Sequence, residues 1–227
     1  LKLVLEKDGE RLIDLVITTS ELCDMIEEAG IDFAALPDEE PDAPLGDYTG
    51  AGVIFGVTGG VTEAVIRRVL DDASPNTLQT IAECGVRGLE GIKAFTVTAG
   101  DLTIRIAVAN GLANADKLIA KVESGEEQFD FIEVMACPGG CIGGGGQPRT
   151  KLPQEIPAKR ARIESLYGLD ALNQIRASWE NPEIQTLYTK FLGEPLSDLS
   201  ESLLHTQYIN KHYMLGKEDK VQPGVSH

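Results

Sequence analysis

The chain has 227 residues, a formal net charge of −16 and an isoelectric point near 4.5. An acidic surface of this kind repels phosphates, which argues against nucleic-acid binding. No stretch approaches the roughly 20 apolar residues of a membrane span, no secretory signal opens the sequence, and the four cysteines form no regular disulfide framework. We therefore expect a cytoplasmic protein with reduced thiols and a core of one large or two small domains.

The first part of the chain predicts a strand, a helix and an exposed loop. Residues 12–18 form an apolar run that favours a buried parallel strand. Ser20 is placed to cap a helix that ends near Glu28. The segment 31–49 has three prolines among acidic residues, which predicts an exposed excursion whose ends return to the core.

A second strand, a glycine turn and a helix follow at residues 53–55, 56–60 and 61–70. The helix is predicted to have one apolar face, made of Val61, Ala64, Val65 and Val69. A glycine turn at a helix N-terminus suits an anion, but glycine turns are common, and the pattern alone favours a strand-to-helix connection that needs positive φ. The helix dipole accounts for Glu63 in the first turn without any catalytic role.

The middle of the chain predicts an antiparallel hairpin within residues 86–108, with its tight turn at 99–101. Residues 112–124 then predict a helix whose apolar side includes Ala113, Leu118, Ile119 and Val122. We expect this part to be scaffold that returns the chain to the strand before the cysteines.

The segment 129–148, FDFIEVMACPGGCIGGGGQP, holds most of the candidate chemistry. Residues 131–135 predict a buried strand, and Pro138 with the following glycines prevents a regular helix before Cys141. Four consecutive glycines after Ile142 allow backbone amides to approach a bulky anionic group. An iron–sulfur cluster fits this pattern. The spacing of Cys137 and Cys141 alone is also compatible with a redox dithiol, a zinc half-site or two buried thiols.

The order of these elements predicts an α/β fold with a mostly parallel sheet flanked by helices and an antiparallel hairpin at one edge. Ligands are then expected at the C-terminal ends of strands. Both Phe55 and Met135 are predicted to end strands, so the two glycine turns that follow them should meet.

The pattern changes to helices after residue 150, with amphipathic segments at 158–167 and 182–192. We divide the chain into an α/β lobe at 1–150, a helical region at 151–214 that packs on the lobe or on a partner, and a polar tail at 215–227.

Several conspicuous residues are assigned to packing rather than to chemistry. Four aromatic residues are expected at a helix–helix or subunit interface: Trp179, Tyr188, Phe191 and Tyr208. His205 and His212 have no companions at metal-ligand spacing, so they are expected to be structural or exposed. Cys23 and Cys84 are expected to be small buried hydrophobes, because free cysteine is among the most buried residue types.

The cysteine segment carries a resemblance that is more specific than its spacing. The string MACPGGCIGGGGQP, with the preceding Phe-Ile-Glu, resembles the third cluster-binding signature of the FeFe-hydrogenase catalytic domain. Residues 17–70, with TTSEL and FGVTGGVTEA, resemble the upstream region of the same family, and WENPEIQTLYTKFLGEPLSDLSESLLHTQY resembles its C-terminal helical region. The resemblance covers residues 12–210 and corresponds to the C-terminal half of that domain.

Two other signatures of the family, of the TSCCP and MPCxxKxxE types, are absent from this chain. In the family they carry the other two cluster cysteines, a proton-transfer cysteine and a cyanide-binding lysine. The resemblance therefore implies a split form, with a partner subunit that carries TSCCP-like and MPCxxK-like motifs. It also implies electron-transfer subunits with iron–sulfur clusters, which a flavin- and NAD-linked electron-bifurcating complex would include.

The activity that the resemblance implies is reversible reduction of protons to dihydrogen at an H-cluster, a 4Fe-4S cluster bridged to a diiron subsite with CO and CN ligands. Cys141 would be the bridging thiolate and Cys137 a ligand of the 4Fe-4S cluster alone. Met135 would pack against the diiron side, with Phe55 and Val61 helping to form an apolar pocket. The glycine turn would face the CO and CN ligands and contributes Gly56, Thr58 and Gly59.

A different class of protein shares this resemblance. Relatives of the same fold act in cytosolic iron–sulfur protein maturation, or are sensory or degenerate, and bind cubane clusters without making hydrogen. The complete MACPGGC string with Met135 and the intact FGVTGGV turn favour a hydrogenase.

Overall fold

The computed structural model describes residues 6–7, 10–11, 14–39, 42, 46–148, 150–151 and 153–205. The strands are β1 (Glu6–Lys7), β2 (Glu10–Arg11), β3 (Ile92–Ala99), β4 (Leu102–Asn110) and β5 (Phe131–Met135). The α-helices are α1 (Thr19–Glu28), α2 (Gly50–Val53), α3 (Gly60–Leu70), α4 (Pro75–Glu83), α5 (Leu112–Glu123), α6 (Glu155–Leu172), α7 (Pro182–Leu187) and α8 (Asp198–Leu204). Single helical turns of 3-10 type occur at Phe33–Ala35, Ile54–Gly56, Cys141–Gly143 and Ser178–Glu180, and a π turn at Tyr188–Leu192.

The chain divides into two compact units, Leu1–Glu183 and Ile184–His227. Helix α6, which begins shortly after residue 150, packs against α2 within the first unit. In the second unit, Ser197 caps α8 by accepting from the Ser200 amide, and its hydroxyl donates to the Leu192 carbonyl. The proposed tail at 215–227 lies outside the described residues, as do Tyr208 and His212.

A three-stranded sheet of order β3-β4-β5 lies at the centre of the first unit. Strands β3 and β4 pair antiparallel across a two-residue turn, in register from Ile92 with Ala109 to Ala99 with Leu102. Strands β4 and β5 pair in parallel, from Ile106 with Phe131 to Asn110 with Met135. The α/β class, the flanking helices and the antiparallel hairpin at one edge are confirmed, while the parallel part of this sheet is a single pairing.

The core occupies both faces of this sheet. Helices α3 and α4 cover one face, where the buried residues are Ile66, Leu78, Ile81, Val86 and Ile106. Helix α5 covers the other face, where they are Ala107, Ala109, Ala115 and Leu118. Because strand side chains alternate between faces, β4 is the strand that contributes to both clusters. Of the apolar side predicted for the helix after the hairpin, Leu118 is buried, whereas Ala113, Ile119 and Val122 are exposed.

Two predicted strands are wrong. Residues 14–18 are exposed and outside any regular element, and residues 12–13 lie outside the described residues. Residues 53–55 belong to the end of α2 and the following 3-10 turn. Thr49 starts α2 by accepting a hydrogen bond from the Gly52 amide at 3.1 Å, so a local N-cap outweighs the strand preference of a short apolar run.

The first long helix begins two residues earlier than expected. Thr18, rather than Ser20, is the N-cap of α1, because its hydroxyl accepts from the Glu21 amide at 3.3 Å and its amide donates to the Glu21 carboxylate at 2.6 Å. This reciprocal pair is a capping box. The predicted end at Glu28 is confirmed.

The buried face of α3 differs from the predicted apolar face. Val61, Ala64, Val65 and Val69 are half-buried, whereas Glu63 and Arg67 are fully buried. The Arg67 guanidinium donates to the Asp170 carboxylate at 2.8 and 2.9 Å and to Glu63 at 2.9 Å. These charges are buried because they are paired and hydrogen-bonded.

Further partners extend this buried charge cluster from α3 to α6 and its flanks. Arg87 donates to both oxygens of Glu63 at 2.7 and 2.9 Å, and Tyr167 donates its hydroxyl to Glu63 at 3.1 Å. Arg176 donates to both oxygens of Asp170 at 2.7 and 2.9 Å. The helix that follows the FGVTGGV turn is therefore joined to α6 by paired charges.

Replacing Asp170 with asparagine tests this cluster through its pH dependence. Burial alone would raise the pKa of Asp170, but hydrogen bonds from Arg67 and Arg176 outweigh burial and hold it below its ordinary 3.8. Such a carboxylate stabilises the folded state above pH 3.8, and this stabilisation is lost as the pH falls through the folded-state pKa. We expect Asp170→Asn to lower the free energy of unfolding by about 1.5–3 kcal/mol at pH 7. Urea denaturation should show the difference from wild type shrinking below pH 3.8, and a difference that is constant with pH would contradict this assignment.

Candidate functional site

The two candidate cysteines lie on one tight loop after β5. Cys137 is half-buried and Cys141 is exposed, and Gly140 and Gly143 make successive turns by donating to the carbonyls of Cys137 and Gly140 at 3.0 Å each. A Cβ on Gly144 would overlap the Cys137 sulfur. Only glycine therefore lets the chain fold back closely over the Cys137 thiol.

The FGVTGGV turn packs directly against this loop. The Thr58 amide donates to the Gly139 carbonyl at 3.1 Å. A Cβ on Gly140 would lie 2.7 Å from the Thr58 nitrogen and 2.9 Å from both the Gly56 oxygen and the Met135 sulfur. The prediction that the two glycine turns meet is confirmed, although the first follows a 3-10 turn rather than a strand.

Replacing Gly140 with alanine is expected to disturb this contact. Gly140 has a φ of +92°, a conformation that costs an L-residue about 1–3 kcal/mol, and the added Cβ would also press on Thr58 and Met135. Gly145 is the matched control, because it has a φ of +59° with nothing within 4 Å of its added Cβ. Urea denaturation should show a larger loss of unfolding free energy for Gly140→Ala than for Gly145→Ala, and equal losses would contradict the close approach.

Glu133 joins the cysteine strand to the glycine turn. It is the buried residue of β5, at 6% exposure. Its carboxylate accepts from the Gly59 amide at 2.7 Å, the Thr62 amide at 2.8 Å and the Thr62 hydroxyl at 2.7 Å. Gly59 has no side chain with which to cap α3, so Glu133 supplies the cap from another strand.

This cap corrects one expectation about the helix N-terminus. The amides and dipole of α3 were expected to face an anionic ligand, but the Gly59 and Thr62 amides point at Glu133. The positive helix end is therefore already compensated by a buried carboxylate. Glu133 is recognisable in the sequence as an acidic residue inside an apolar strand, but it was not among the predicted site residues. The strand is also less buried than expected, since Ile132 and Val134 are exposed.

Lys93 and Asn110 support the two turns from the sheet. The buried Lys93 ammonium donates to the carbonyls of Thr58 at 3.1 Å, Val86 at 2.7 Å and Gly88 at 3.1 Å. Burial lowers the pKa of Lys93, against the opposing effect of the nearby Glu133 charge. Asn110 accepts from the Gly139 amide at 2.9 Å. The hairpin was predicted to be scaffold, so neither Lys93 nor Asn110 was predicted to support the site.

The predicted site residues differ in how far they are exposed to solvent. Met135, Gly56 and Val61 are half-buried, Phe55 is exposed, and Gly59 is buried. Thr58 is fully buried, and among the described residues its hydroxyl has no hydrogen-bond partner. An open pocket of about 330 Å³ brings the exposed Cys141 together with Gly56, Ile142, Gln147, Arg162, Ser165 and Leu166.

Helices α1 and α6 enclose the loop from two sides. The first amide of α1, at Thr19, donates to the Gly145 carbonyl at 2.9 Å, and the Gln147 side chain donates to the Thr19 hydroxyl at 3.0 Å. From α6, Arg162 donates to the carbonyls of Ile142 at 2.7 Å and Pro148 at 2.8 Å. The cysteine loop is thus fixed by hydrogen bonds to both helices.

The remaining candidates lie apart from this loop. Cys23 is exposed in α1, a helix with no buried residue, so its expected burial is wrong. Cys84 is half-buried at the end of α4, and burial raises the pKa of its thiol. Trp179 packs under the Arg68 guanidinium at 5.3 Å from the ring centroid. His205 is exposed, as expected.

The two cysteines of the loop fit part of the ligand set of an iron–sulfur cluster. A 4Fe-4S cluster normally takes four cysteine thiolates, and the loop offers two. Among the described residues, no three His, Cys, Asp or Glu side chains are grouped to hold a metal ion. The soft thiols and the close glycine backbone suit iron–sulfur chemistry, provided that two more ligands come from outside the described residues. Within the same residues, none of the helices has the length and apolar character that a membrane crossing needs.

Comparison with known protein families agrees with an iron–sulfur site at these two cysteines. Residues 4–145 match the model of the iron only hydrogenase large subunit, C-terminal domain, and residues 155–211 match that of the iron hydrogenase small subunit. The two matches together cover the cysteine loop, the glycine turn and the C-terminal helices.

Individual relatives show the same relationship. The NADP-reducing hydrogenase subunit HndD of Solidesulfovibrio fructosivorans is 50% identical over 204 residues, which are 90% of this chain and 34% of HndD. The solved structure of a HydA1 [FeFe]-hydrogenase variant from Chlamydomonas reinhardtii has a TM-score of 0.64 and 39% identity, over 89% of this chain and 58% of that chain. Cytosolic iron-sulfur assembly component 3 of Bos taurus is 31% identical over 207 residues, which are 87% of this chain and 41% of that protein.

The chain spans about a third of the length of HndD and somewhat more than half of the HydA1 chain. The family model nevertheless covers well over half of the chain and includes both cysteines and the turn that packs on them. The chain therefore belongs to the iron-only hydrogenase large-subunit family, of which it matches the C-terminal domain.

Proposed function

We propose that this chain is a subunit of a heteromeric FeFe-hydrogenase that interconverts protons and dihydrogen, and that it contributes Cys137 and Cys141 to the H-cluster. The supporting observation is the contact between the two glycine turns. The Thr58 amide and the Gly139 carbonyl are 3.1 Å apart, which places the cysteine loop against FGVTGGV at the mouth of a pocket. The 50% identity to a hydrogenase subunit supports the same activity.

The two cysteines are suited to different roles. Cys137 is half-buried beneath Gly144, which suits a thiolate that binds the 4Fe-4S cluster alone, whereas Cys141 is exposed at the pocket, which suits the thiolate shared with the diiron subsite. When bound, the H-cluster would supply the electrons and the open iron coordination position that proton reduction requires. Gly56, Thr58 and Gly59 would form the wall of the diiron side.

Apolar residues at and next to the two turns would help to exclude water and oxygen from the bound cofactor. Met135 reaches the point where the two turns meet, and Phe55 and Val61 lie on either side of the glycine turn. The backbone of the turn is held by Lys93 at one carbonyl and by Glu133 at two amides. This fixed polar frame lets the turn keep its shape without reorganising when the cofactor changes charge.

A partner subunit would complete the site, because the loop provides two of the four thiolates that the cluster needs. The partner would carry the TSCCP-like and MPCxxK-like motifs. The exposed segment 14–18 suits a contact with this partner, because Leu15 and Val16 are 69% and 78% exposed. Thr18, at the end of the segment, and Thr19, the first residue of α1, lie against the four-glycine loop. Unpaired apolar segments of this kind readily add to another sheet.

Electrons would reach the site through other subunits with iron–sulfur clusters, since the chain has no second cysteine set. The name of HndD, an NADP-reducing hydrogenase subunit, supports an assembly that includes a nicotinamide-linked subunit. An electron-bifurcating complex is one form of such an assembly.

Infrared spectroscopy on the assembly purified under strict anaerobic conditions tests this function. A hydrogenase should show the stretching bands of carbonyl and cyanide ligands. Their absence from material that still holds cubane clusters would contradict the proposal.

The second candidate is an iron–sulfur protein without hydrogenase activity, of maturation, sensory or degenerate type. The 31% identity to cytosolic iron-sulfur assembly component 3 supports it. Cubane clusters without infrared bands would favour this candidate over the first.

A further inference from the structure

Helix α6 places two positive side chains against the cysteine loop. Lys159 and Arg162 are three residues apart and therefore share one face of the helix. The stem of Lys159 lies on the glycines that flank the two cysteines: a Cβ on Gly139 would be 3.5 Å from its Cδ, and a Cβ on Gly143 would be 3.1 Å from its Cε.

Among the described residues, Arg162 forms no ion pair with a carboxylate. In the described part of the chain, its hydrogen bonds go to the backbone carbonyls of Ile142 and Pro148. Ile142 directly follows Cys141, and Arg162 and Cys141 line the same pocket. Lys159 is paired with Glu155 at 2.8 Å. The loop is therefore in contact with two cationic side chains, one of them paired with a carboxylate, in a chain whose net charge is −16.

Hydrogen bonding alone does not require arginine at this position. A neutral donor could bind one carbonyl, whereas Arg162 brings a permanent charge close to the thiolates. The reduction potential of an iron–sulfur cluster depends on the net charge and hydrogen bonds around it. One-electron reduction adds one negative charge to the cluster, and a nearby cation stabilises the reduced form more than the oxidised form.

We propose that Arg162, assisted by Lys159, is a positioning residue that holds the Cys141 loop and raises the reduction potential of the iron–sulfur cluster bound by Cys137 and Cys141. The proposal rests on the proposed function, because it needs a cluster at this site. It concerns the reduction potential of the cluster, whereas the proposed function concerns its ligands and its reaction.

The test is a redox titration of the anaerobically purified assembly with dithionite as the electron source, followed by electron paramagnetic resonance of the cluster. Arg162→Gln should shift the midpoint potential to a more negative value. Arg162→Lys keeps the charge but cannot span both carbonyls, so it should restore a potential near that of wild type. Lys159→Met keeps the apolar stem on Gly139 and Gly143 and should also shift the potential negatively.

Arg160→Gln is the matched control, since Arg160 is an exposed residue of the same helix and its substitution changes the net charge equally. Its shift should be smaller than that of Arg162→Gln. Equal shifts for Arg160→Gln and Arg162→Gln, or equal shifts for Arg162→Gln and Arg162→Lys, would overturn the proposal while leaving the hydrogenase assignment intact. Wild-type assembly that binds no iron at Cys137 and Cys141 would overturn both.

Discussion

Replacing Cys141 with alanine is expected to remove the carbonyl and cyanide infrared bands of the assembly and to abolish hydrogen production. Cys141 is the exposed thiol at the pocket between the two glycine turns, and we propose that it bridges the two parts of the H-cluster. Losing a residue that merely supports a metal ligand costs about 10–100-fold in activity or metal affinity. A loss beyond about 100-fold would therefore identify a ligand rather than a supporting residue.

The fold should survive this change. Cys141 is exposed on a loop, so the free energy of unfolding should move by no more than about 0.5 kcal/mol. Cys23→Ala is the matched control, because Cys23 is the other exposed thiol among the described residues, and it should keep full activity and both sets of bands. Infrared bands that persist in Cys141→Ala would contradict the assignment of the bridging thiolate.

The hairpin and the long helices could be predicted because their patterns are local. Strands β3 and β4 carry β-branched residues on either side of a tight turn, and their register follows from that turn. The turn at the cysteine loop could also be predicted locally, because Pro138 and its neighbouring glycines prevent a regular helix and favour tight turns. These segments needed no information from distant residues.

The wrong predictions concern short patterns that residues outside those patterns override. The apolar run at 53–55 is too short to distinguish helix from strand, and the Thr49 cap decides in favour of helix. The buried face of α3 includes Glu63 and Arg67 because Asp170, about a hundred residues later, pairs with Arg67. No pattern within α3 shows that this partner exists.

The prediction of a buried strand at residues 12–18 is wrong for a different reason. The composition of this segment favours a strand, but a strand forms only where another strand offers hydrogen-bonding partners. The described residues pair no strand with it, and its apolar side chains remain exposed. A partner that completes the cluster would resolve this conflict by supplying the missing sheet.

The candidate site was predicted through its cysteines and glycines but not through the polar residues that hold them. Lys93 and Glu133 are single charged residues within apolar strands, and charged residues in such positions are buried only when they have partners. Their partners are mostly backbone groups, in the glycine turn, at the start of α3 and in the segment before β3. Because backbone partners leave no mark in the sequence, these contacts became visible only in the structure.

Replacing Glu133 with alanine is expected to lower the free energy of unfolding by about 2–6 kcal/mol, the cost of leaving two buried donors unsatisfied. The change would leave the Gly59 and Thr62 amides without an acceptor, and each buried unsatisfied donor costs about 1–3 kcal/mol. It would also remove the negative charge that opposes the burial-driven lowering of the Lys93 pKa. Urea denaturation measures the loss, with the exposed Glu123→Gln as a control that should stay within about 0.5 kcal/mol of wild type.

Glu133→Gln distinguishes a cap from a space-filling role. Glutamine has nearly the same shape as glutamate, but its side-chain NH₂ would face one of the two amides and place a donor against a donor. We therefore expect Glu133→Gln to be destabilising as well and to speed hydrogen exchange at the Gly59 and Thr62 amides. If both amides stayed protected and stability were unchanged, the carboxylate would not be the link between the cysteine strand and the glycine turn. If exchange rose at these amides, the two halves of the candidate site would depend on this one buried acid for their alignment.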